Sequence, residues 1–406
     1  MSDQSLIRVR RAQAILEVLT VFLRLGLTSF GGPIAHLGYF RDEFVERRRW
    51  LDEKAYADLV ALCQFLPGPA SSQVGMSLGI LRAGIPGALA AWIGFTAPSA
   101  VALIFFAYGV QSIGNFLQGG VLHGLKIVTV AVVAQAVWSM GRTLCTDRQR
   151  LTIALVSAMV MLFWPGALTQ LLGIALGGLV GWKLLRVGEN SAPVDVDIRV
   201  PRTLAAGAAI LFFALLALLP LAAGRGHSAA VAMFDSFYRA GSLVFGGGHV
   251  VLPLLQSEVV PHQWVSNDVF LAGYGAAQAV PGPLFTFAAY LGAASSASPN
   301  GWSGALLCLI AIFLPSLLLV LAALPYWRTL RQMRSARAAL TGVNAAVVGL
   351  LLAALYQPVW TSAIHEPADL ALALAAFLLL AVWRVSPWII VILTAIGGAV
   401  ISGAAG

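Results

Sequence analysis

The chain has 406 residues, of which 59% are hydrophobic and only 10% charged, with a formal net charge of +8. Its mean hydropathy is +0.86. A soluble domain of this length needs far more surface charge, so composition excludes a soluble enzyme or nucleic-acid-binding module and predicts an all-α polytopic membrane protein. The charge is almost all arginine, with Lys54, Lys126 and Lys183 the only lysines. No aromatic-interleaved basic patch accompanies it, so no nucleic acid is expected and the arginines mark cytoplasmic loops.

In chain order, Arg8, Arg10 and Arg11 precede a long apolar stretch without a small-residue cleavage site, so no cleavable signal is expected. Segments 13–40 and 55–80 each carry a glycine/proline break. If each crossed once, basic residues 8–11, the group Arg41, Arg47, Arg48, Arg49 and Lys54, and then Arg82 would alternate sides. Reading both segments as re-entrant hairpins keeps all of these inside. Segment 83–107 then crosses to a neutral outer loop at 108–118, and 119–140 returns to Arg142, Arg148 and Arg150. Two short helices, 150–163 and 166–185, go out and back around Trp164-Pro165. A polar linker over 186–202 follows, and 203–223 is one further apolar segment.

The chain then repeats itself. Phe30-Gly31-Gly32 returns as Phe245-Gly246-Gly247, and Gln64 to Pro69 returns as Gln278 to Pro283. Arg24 matches Arg239, Glu43 matches Glu258, Pro98-Ser99 matches Pro315-Ser316, and Gly177-Gly178 matches Gly397-Gly398. This divides the chain into a first repeat, 12–187, a linker with connecting transmembrane helix, 188–227, and a second repeat, 228–406. Each repeat crosses an even number of times, so the extra helix inverts the second copy. Its loops agree: 254–268 and 357–369 lack Lys and Arg, whereas 326–337 carries Arg328, Arg331, Arg334 and Arg337. Only Arg225 is misplaced. The expected fold is two inverted-topology repeats with broken or re-entrant helices, N-terminus in and C-terminus out, and such folds bind substrate between the repeats.

Phe30-Gly31-Gly32-Pro33 and Phe245-Gly246-Gly247-Gly248 interrupt helices inside apolar sequence, as do Pro67-Gly68-Pro69 and Pro281-Gly282-Pro283. The helix after each break presents unpaired N–H groups and a positive dipole end, which suit an oxyanion. The alternative is packing glycines and kinks, which are common in membrane helices. Recurrence of two motifs in both halves favours a site. Arg24 and Arg239 sit six residues before their Phe-Gly-Gly. A buried cation usually faces a cavity or partner, so they either meet the anion, pair with Glu17 or Asp235, or snorkel. Lys126 is a third intramembrane cation, opposite Asn344 in the other copy; it joins an off-centre site or anchors a helix end.

His36 and His249 follow the breaks without aligning, and either donates to the anion, carries a coupling proton or simply packs. Glu43 and Glu258 do align, as proton-coupling candidates or arginine partners. Glu43, in a charge-rich loop, reads better as a solvated residue. Gln64 and Gln278, with Ser71, Ser72 and Gln73, supply neutral donors beside helix ends, although serines there also cap. Cys63, Cys145 and Cys308 lie far apart with no metal-ligand spacing, so no metal or other cofactor is expected.

The first repeat resembles the chromate ion transporter family. It does so through Ser29-Phe30-Gly31-Gly32-Pro33, His36, Phe44-Val45, Arg49-Trp50-Leu51, Ala61 to Pro69, Ser72-Gln73, Gly75, Arg82-Ala83-Gly84, Gly94-Phe95 and Pro98-Ser99. The second resembles the family's second domain through Phe245 to His249, Pro253 and Gln278 to Pro283. The resemblance implies the long two-domain form, efflux of chromate from the bacterial cytoplasm across the inner membrane, and the proton gradient as energy source. Nothing in composition or spacing points to chromium itself. Sulfate has the same charge and shape and is an alternative substrate, and a homodimer is compatible with this reading. An anion channel of the same fold is a rival. An enzyme is disfavoured because HExxH, GxSxG and paired-Asp motifs are missing, ATP drive because no Walker motif is present, and a scaffold because polar breaks are duplicated.

Overall fold

In a computed structural model of the chain, residues 3–112, 120–186, 200–226 and 228–404 are described. Glycine and proline decide where the helices stop. Helix α1 (Asp3–Thr28) ends before Gly31, whose φ of 100° is a left-handed conformation open to glycine. Pro33 then starts α2 (Gly32–Arg41), where its missing N–H costs nothing. A π-helical turn (Asp42–Arg47) leads to α3 (Glu53–Phe65), capped by the Asp52 side chain accepting from the Ala55 N–H. Helix α4 (Ala70–Ser112) folds back on itself at Ala83 and Gly84 (φ 66°, ψ −155°). Its two arms touch so closely that a Cβ on Gly79 would lie 2.2 Å from the Gly87 carbonyl oxygen.

Then come α5 (Gly120–Leu144), α6 (Arg148–Phe163), α7 (Ala167–Leu184) and α8 (Arg202–Ala223). The second half runs α9 (Ala229–Leu243), α10 (Val251–Val259), α11 (Asn267–Ala277), α12 (Phe287–Ala294) and α13 (Gly301–Ala323). It ends with α14 (Arg334–Ala354), α15 (Pro367–Ala381) and α16 (Pro387–Ala404). Among the described residues, six helical stretches are long and apolar enough to cross a membrane, so the chain is a multi-pass membrane protein. Those in α4, α5, α13 and α14 are 50–67% buried, against 17% for α7 and α8. The first four therefore form the centre, and α7 and α8 lie at the lipid-facing rim.

Two ring pairs give the relative direction of the matched helices α4 and α13. Trp92 meets Phe313 at 5.8 Å, and Phe105 meets Trp302 at 6.0 Å. Later residues of one face earlier residues of the other, so the second arm of α4 and α13 are antiparallel. Packing is also exchanged between the halves. Gly177 and Gly181 of α7 lie against Gly342 of α14, whereas Gly398 of α16 lies against Gly120 and Gly124 of α5. Small residues allow this backbone contact, the usual basis of helix association in lipid.

Helix α4 runs past the expected end at 107 to Ser112. Residues 113–119 of the expected outer loop and 187–199 of the expected linker, Arg199 among them, lie outside the described residues.

Candidate functional site

A cavity of about 1140 Å³ opens in the middle of the molecule. Its wall takes in Gly31 and Gly32 from the first break, Gly246, Gly247 and Gly248 from its counterpart, and Gly68 and Gly282 from the two Pro-Gly-Pro turns. The two halves interlock here by reciprocal hydrogen bonds. The Gly68 N–H donates to the Val244 carbonyl at 2.7 Å, and the Gly282 N–H donates to the Ser29 carbonyl at 2.9 Å. Ser29 and Val244 hold the same place in their repeats, as do Gly68 and Gly282. Each Pro-Gly-Pro turn therefore seats on the opposite half's first break. The glycines are required for contact as well as φ. A Cβ at Gly68 (φ 120°) would lie 2.5 Å from Ser316 Oγ, and one at Gly282 (φ 92°) would lie 2.9 Å from Ser99 Oγ.

The polar wall contains Gln64, Gln278 and His249. His249 Nδ1 is 2.8 Å from the Tyr274 hydroxyl. Two further groups come from the central helices. Gln135, Ser139 and Thr143 line the cavity from α5, and Arg337, Thr341 and Asn344 from α14. Sequence reasoning overlooked both. Their signal was available: polar residues three or four apart inside apolar helices share one face. Lys54, Asp58, Trp327 and Arg337 also line the cavity, and the Trp327 indole N–H donates to Asp58 at 3.0 Å.

The remaining expected residues lie outside this wall. Phe30 packs near Trp388, with ring centroids 6.4 Å apart. Gln73 donates to the Pro67 carbonyl at 2.7 Å and so fixes the first Pro-Gly-Pro turn. His36 is buried against Phe95, with Nδ1 3.4 Å from Ser71 Oγ and its Nε2 unpartnered. Ser72 is also buried, with its hydroxyl unpartnered. Lys126 reaches Asp268 at 3.1 Å.

Arg24 and Arg239 do not line the cavity; each meets the matched glutamate of its own repeat. Arg24 donates to Glu43, and Arg239 to Glu258 at 2.9 Å. Glu43 is not the solvated loop residue expected: it is 4% exposed and also bound by Arg47 and Arg48. Burial opposes its charge, but the hydrogen bond from Arg48 and the charges of Arg24, Arg48 and Arg47 hold its carboxyl below the ordinary carboxylate range. Glu17, the other partner considered for Arg24, instead takes Arg48 and Arg82. Each pair ties together the two arms that meet at a glycine break: α1 to the turn after α2, and α9 to α10.

The arrangement can therefore hold an anion by backbone N–H groups, amides and an imidazole, while Arg24 and Arg239 brace the arms beside the breaks. The sequence profile described as Chromate transporter matches residues 16–182 and again 231–399. A chromate transport protein of Pseudomonas aeruginosa is 28% identical over 387 residues, 94% of this chain and 90% of that protein. One from Cupriavidus metallidurans is 27% identical over 376 residues, 89% of this chain and 87% of its own length. A probable chromate transport protein of Synechococcus elongatus is 26% identical over 411 residues, 98% of each chain. No solved structure matches the chain significantly. Duplicated breaks, exchanged packing and a profile matched twice lead to one assignment: the chain belongs to the chromate transporter family.

Proposed function

We propose that this protein is a secondary carrier that exports chromate from the cytoplasm across the bacterial inner membrane, with protons as the coupling ion. One observation carries the reading: the breaks of both repeats converge on one cavity through the reciprocal bonds from Gly68 and Gly282. Unpaired N–H groups at the starts of the helices and 3₁₀ turns that follow the breaks then face a doubly negative tetrahedral ion from both halves. Gln64, Gln278 and His249 add neutral donors, which suit an ion that must be released again.

The antiparallel course of α4 and α13 supports two inverted repeats, which alternate access by rocking one against the other. Lys54 and Arg337, which line the cavity, stand in the first turns of α3 and α14, next to segments whose arginines are expected inside. The cavity therefore reads as open to the cytoplasm, the side from which an exporter loads. Its volume exceeds the roughly 300–1,000 Å³ of ordinary ligand pockets, so the ion enters with water around it. Similarity to chromate transport proteins favours chromate over sulfate.

Everted membrane vesicles with labelled chromate test this, with and without a pH gradient and with sulfate as competitor. The expected result is saturable, gradient-dependent accumulation. A hydrogen bond to a charged group is worth about 1.5–3 kcal/mol. Gln64→Leu, Gln278→Leu and His249→Ala should then each raise KM roughly ten- to a hundred-fold. Unchanged KM in all three would remove the cavity from the transport path. Non-saturating flux at channel rates would replace the carrier with a channel.

A further inference from the structure

The two Arg–Glu braces differ in charge. In the first repeat Glu43 is met by three guanidinium groups, from Arg24, Arg47 and Arg48. In the second, Arg239 serves two carboxylates. Its Nε is 3.0 Å from Asp235 Oδ2, and its terminal nitrogens take both Glu258 oxygens at 2.9 Å. Ser236 Oγ also donates to Glu258 at 2.9 Å. Asp235 and Glu258 are 3% and 6% exposed. Glu258 is thus fully provided for by a bidentate guanidinium and a hydroxyl. Asp235 is not: its Oδ1 is buried with no hydrogen-bond partner. The matching position in the first repeat is Thr20, which cannot ionise.

Two carboxylates with one guanidinium leave one negative charge in a site that excludes water, and a bare carboxylate oxygen there is costly. Like charges in one site favour keeping a proton on one of them. Among the described residues, no other cation meets Asp235. Helix α8 carries only Arg202, at its start, and Arg225 follows its end. Helix α13 has no charged residue, and α7 has Lys183 at its far end. On α11, Asp268 is taken by Lys126. Arg334 and Arg337 belong to the first turn of α14, with Arg337 lining the cavity. His262, in the loop after α10, meets the Glu258 carbonyl through Nδ1 at 2.6 Å.

We propose that Asp235 and Glu258, sharing Arg239, form the exchangeable proton site of this transporter, with Asp235 Oδ1 the atom that gains and loses the proton. The inference rests on the carrier reading above and supplies the coupling group for it. The site lies on the arms whose junction, Gly246 to Gly248, lines the anion cavity. It also neighbours the 254–268 loop expected outside. A proton arriving there neutralises Asp235 and leaves Arg239 to Glu258 alone. Deprotonation restores the competing pull of Asp235 on Arg239. The brace between α9 and α10 thus has two charge states, whereas the brace at Glu43 has one. Exchange of an external proton for internal chromate follows from a site that opens to the outer side of the break.

Two measurements on the full-length protein in liposomes decide this. Infrared difference spectra across a pH step need no substrate. They should show a protonated-carboxyl C=O band that is lost in Asp235→Asn and displaced in Asp235→Glu. In transport, Asp235→Asn should lose at least ten-fold of its pH-driven uphill chromate accumulation yet keep chromate–chromate exchange. A band unmoved in both variants, or uphill accumulation at the wild-type level in Asp235→Asn, would overturn the proposal. If the wild type moves no chromate, the carrier reading fails, and the infrared result still decides the proton site.

Discussion

Alanine at Gly68 or at Gly282 should unfold the centre of the molecule more than any change at a lipid-facing glycine. Both residues have φ values, 120° and 92°, that side chains rarely adopt, and such strain costs on the order of 1–3 kcal/mol. The new methyl group also meets a close-packed wall: Ser316 Oγ with Gln73 Nε2 behind Gly68, and Ser99 Oγ with the Phe95 carbonyl behind Gly282. Overpacking of that kind adds about 1–3 kcal/mol. Moving either turn also breaks its hydrogen bond to the other repeat, at Val244 or Ser29. Reversible unfolding in denaturant should show both losses, and chromate affinity should fall with them. Gly207→Ala is the control, since its added Cβ meets nothing within 4 Å. Wild-type stability in both turn variants would mean that the interlock is not what holds the halves together.

Arg239→Ala should destabilise the protein by about 3–5 kcal/mol, the usual cost of leaving buried charge without its partner. The substitution strands Asp235 and Glu258 together in a site that is almost closed. Arg24→Ala should cost only about 1 kcal/mol or less, because an exposed pair contributes little and Glu43 keeps Arg47 and Arg48. Arg24 is itself 49% exposed, against 22% for Arg239. Arg239→Lys should recover part of the loss by restoring the charge without the bidentate fork. The two arginines occupy matched places in the sequence, so equal losses from the two alanine variants would contradict the charge difference described here.

Much of this was legible from the residues. Glycine/proline breaks are local events, and a break of that kind inside an apolar segment stops a helix wherever the segment lies. The four breaks could therefore be located without knowing the fold. Partner choice was not legible. Arg24 and Glu43 are separated by a break and a reversal of direction, so nothing in their spacing distinguishes a brace from an anion ligand. Glu43 looked solvated because four arginines and two other acids stand within six residues of it. The fold turns it inward, against α1. The polar stripes of α5 and α14 went unnoticed for a different reason. Gln135, Ser139, Thr143, Thr341 and Asn344 are uncharged and barely lower the hydropathy of their helices, so only their shared face marks them. The unequal charge of the two braces likewise required Asp235 to be seen beside Glu258.

One tetrahedral dianion should bind where the breaks of both repeats meet. Anomalous diffraction, or a high-resolution map, from the protein soaked with tungstate or molybdate addresses it most directly. One heavy-atom peak is expected inside the cavity, between the Gly31-Gly32 and Gly246-Gly248 breaks and within reach of Gln64, Gln278 and His249. A peak at Arg24 or Arg239 in place of their glutamates, with the cavity empty, would contradict it.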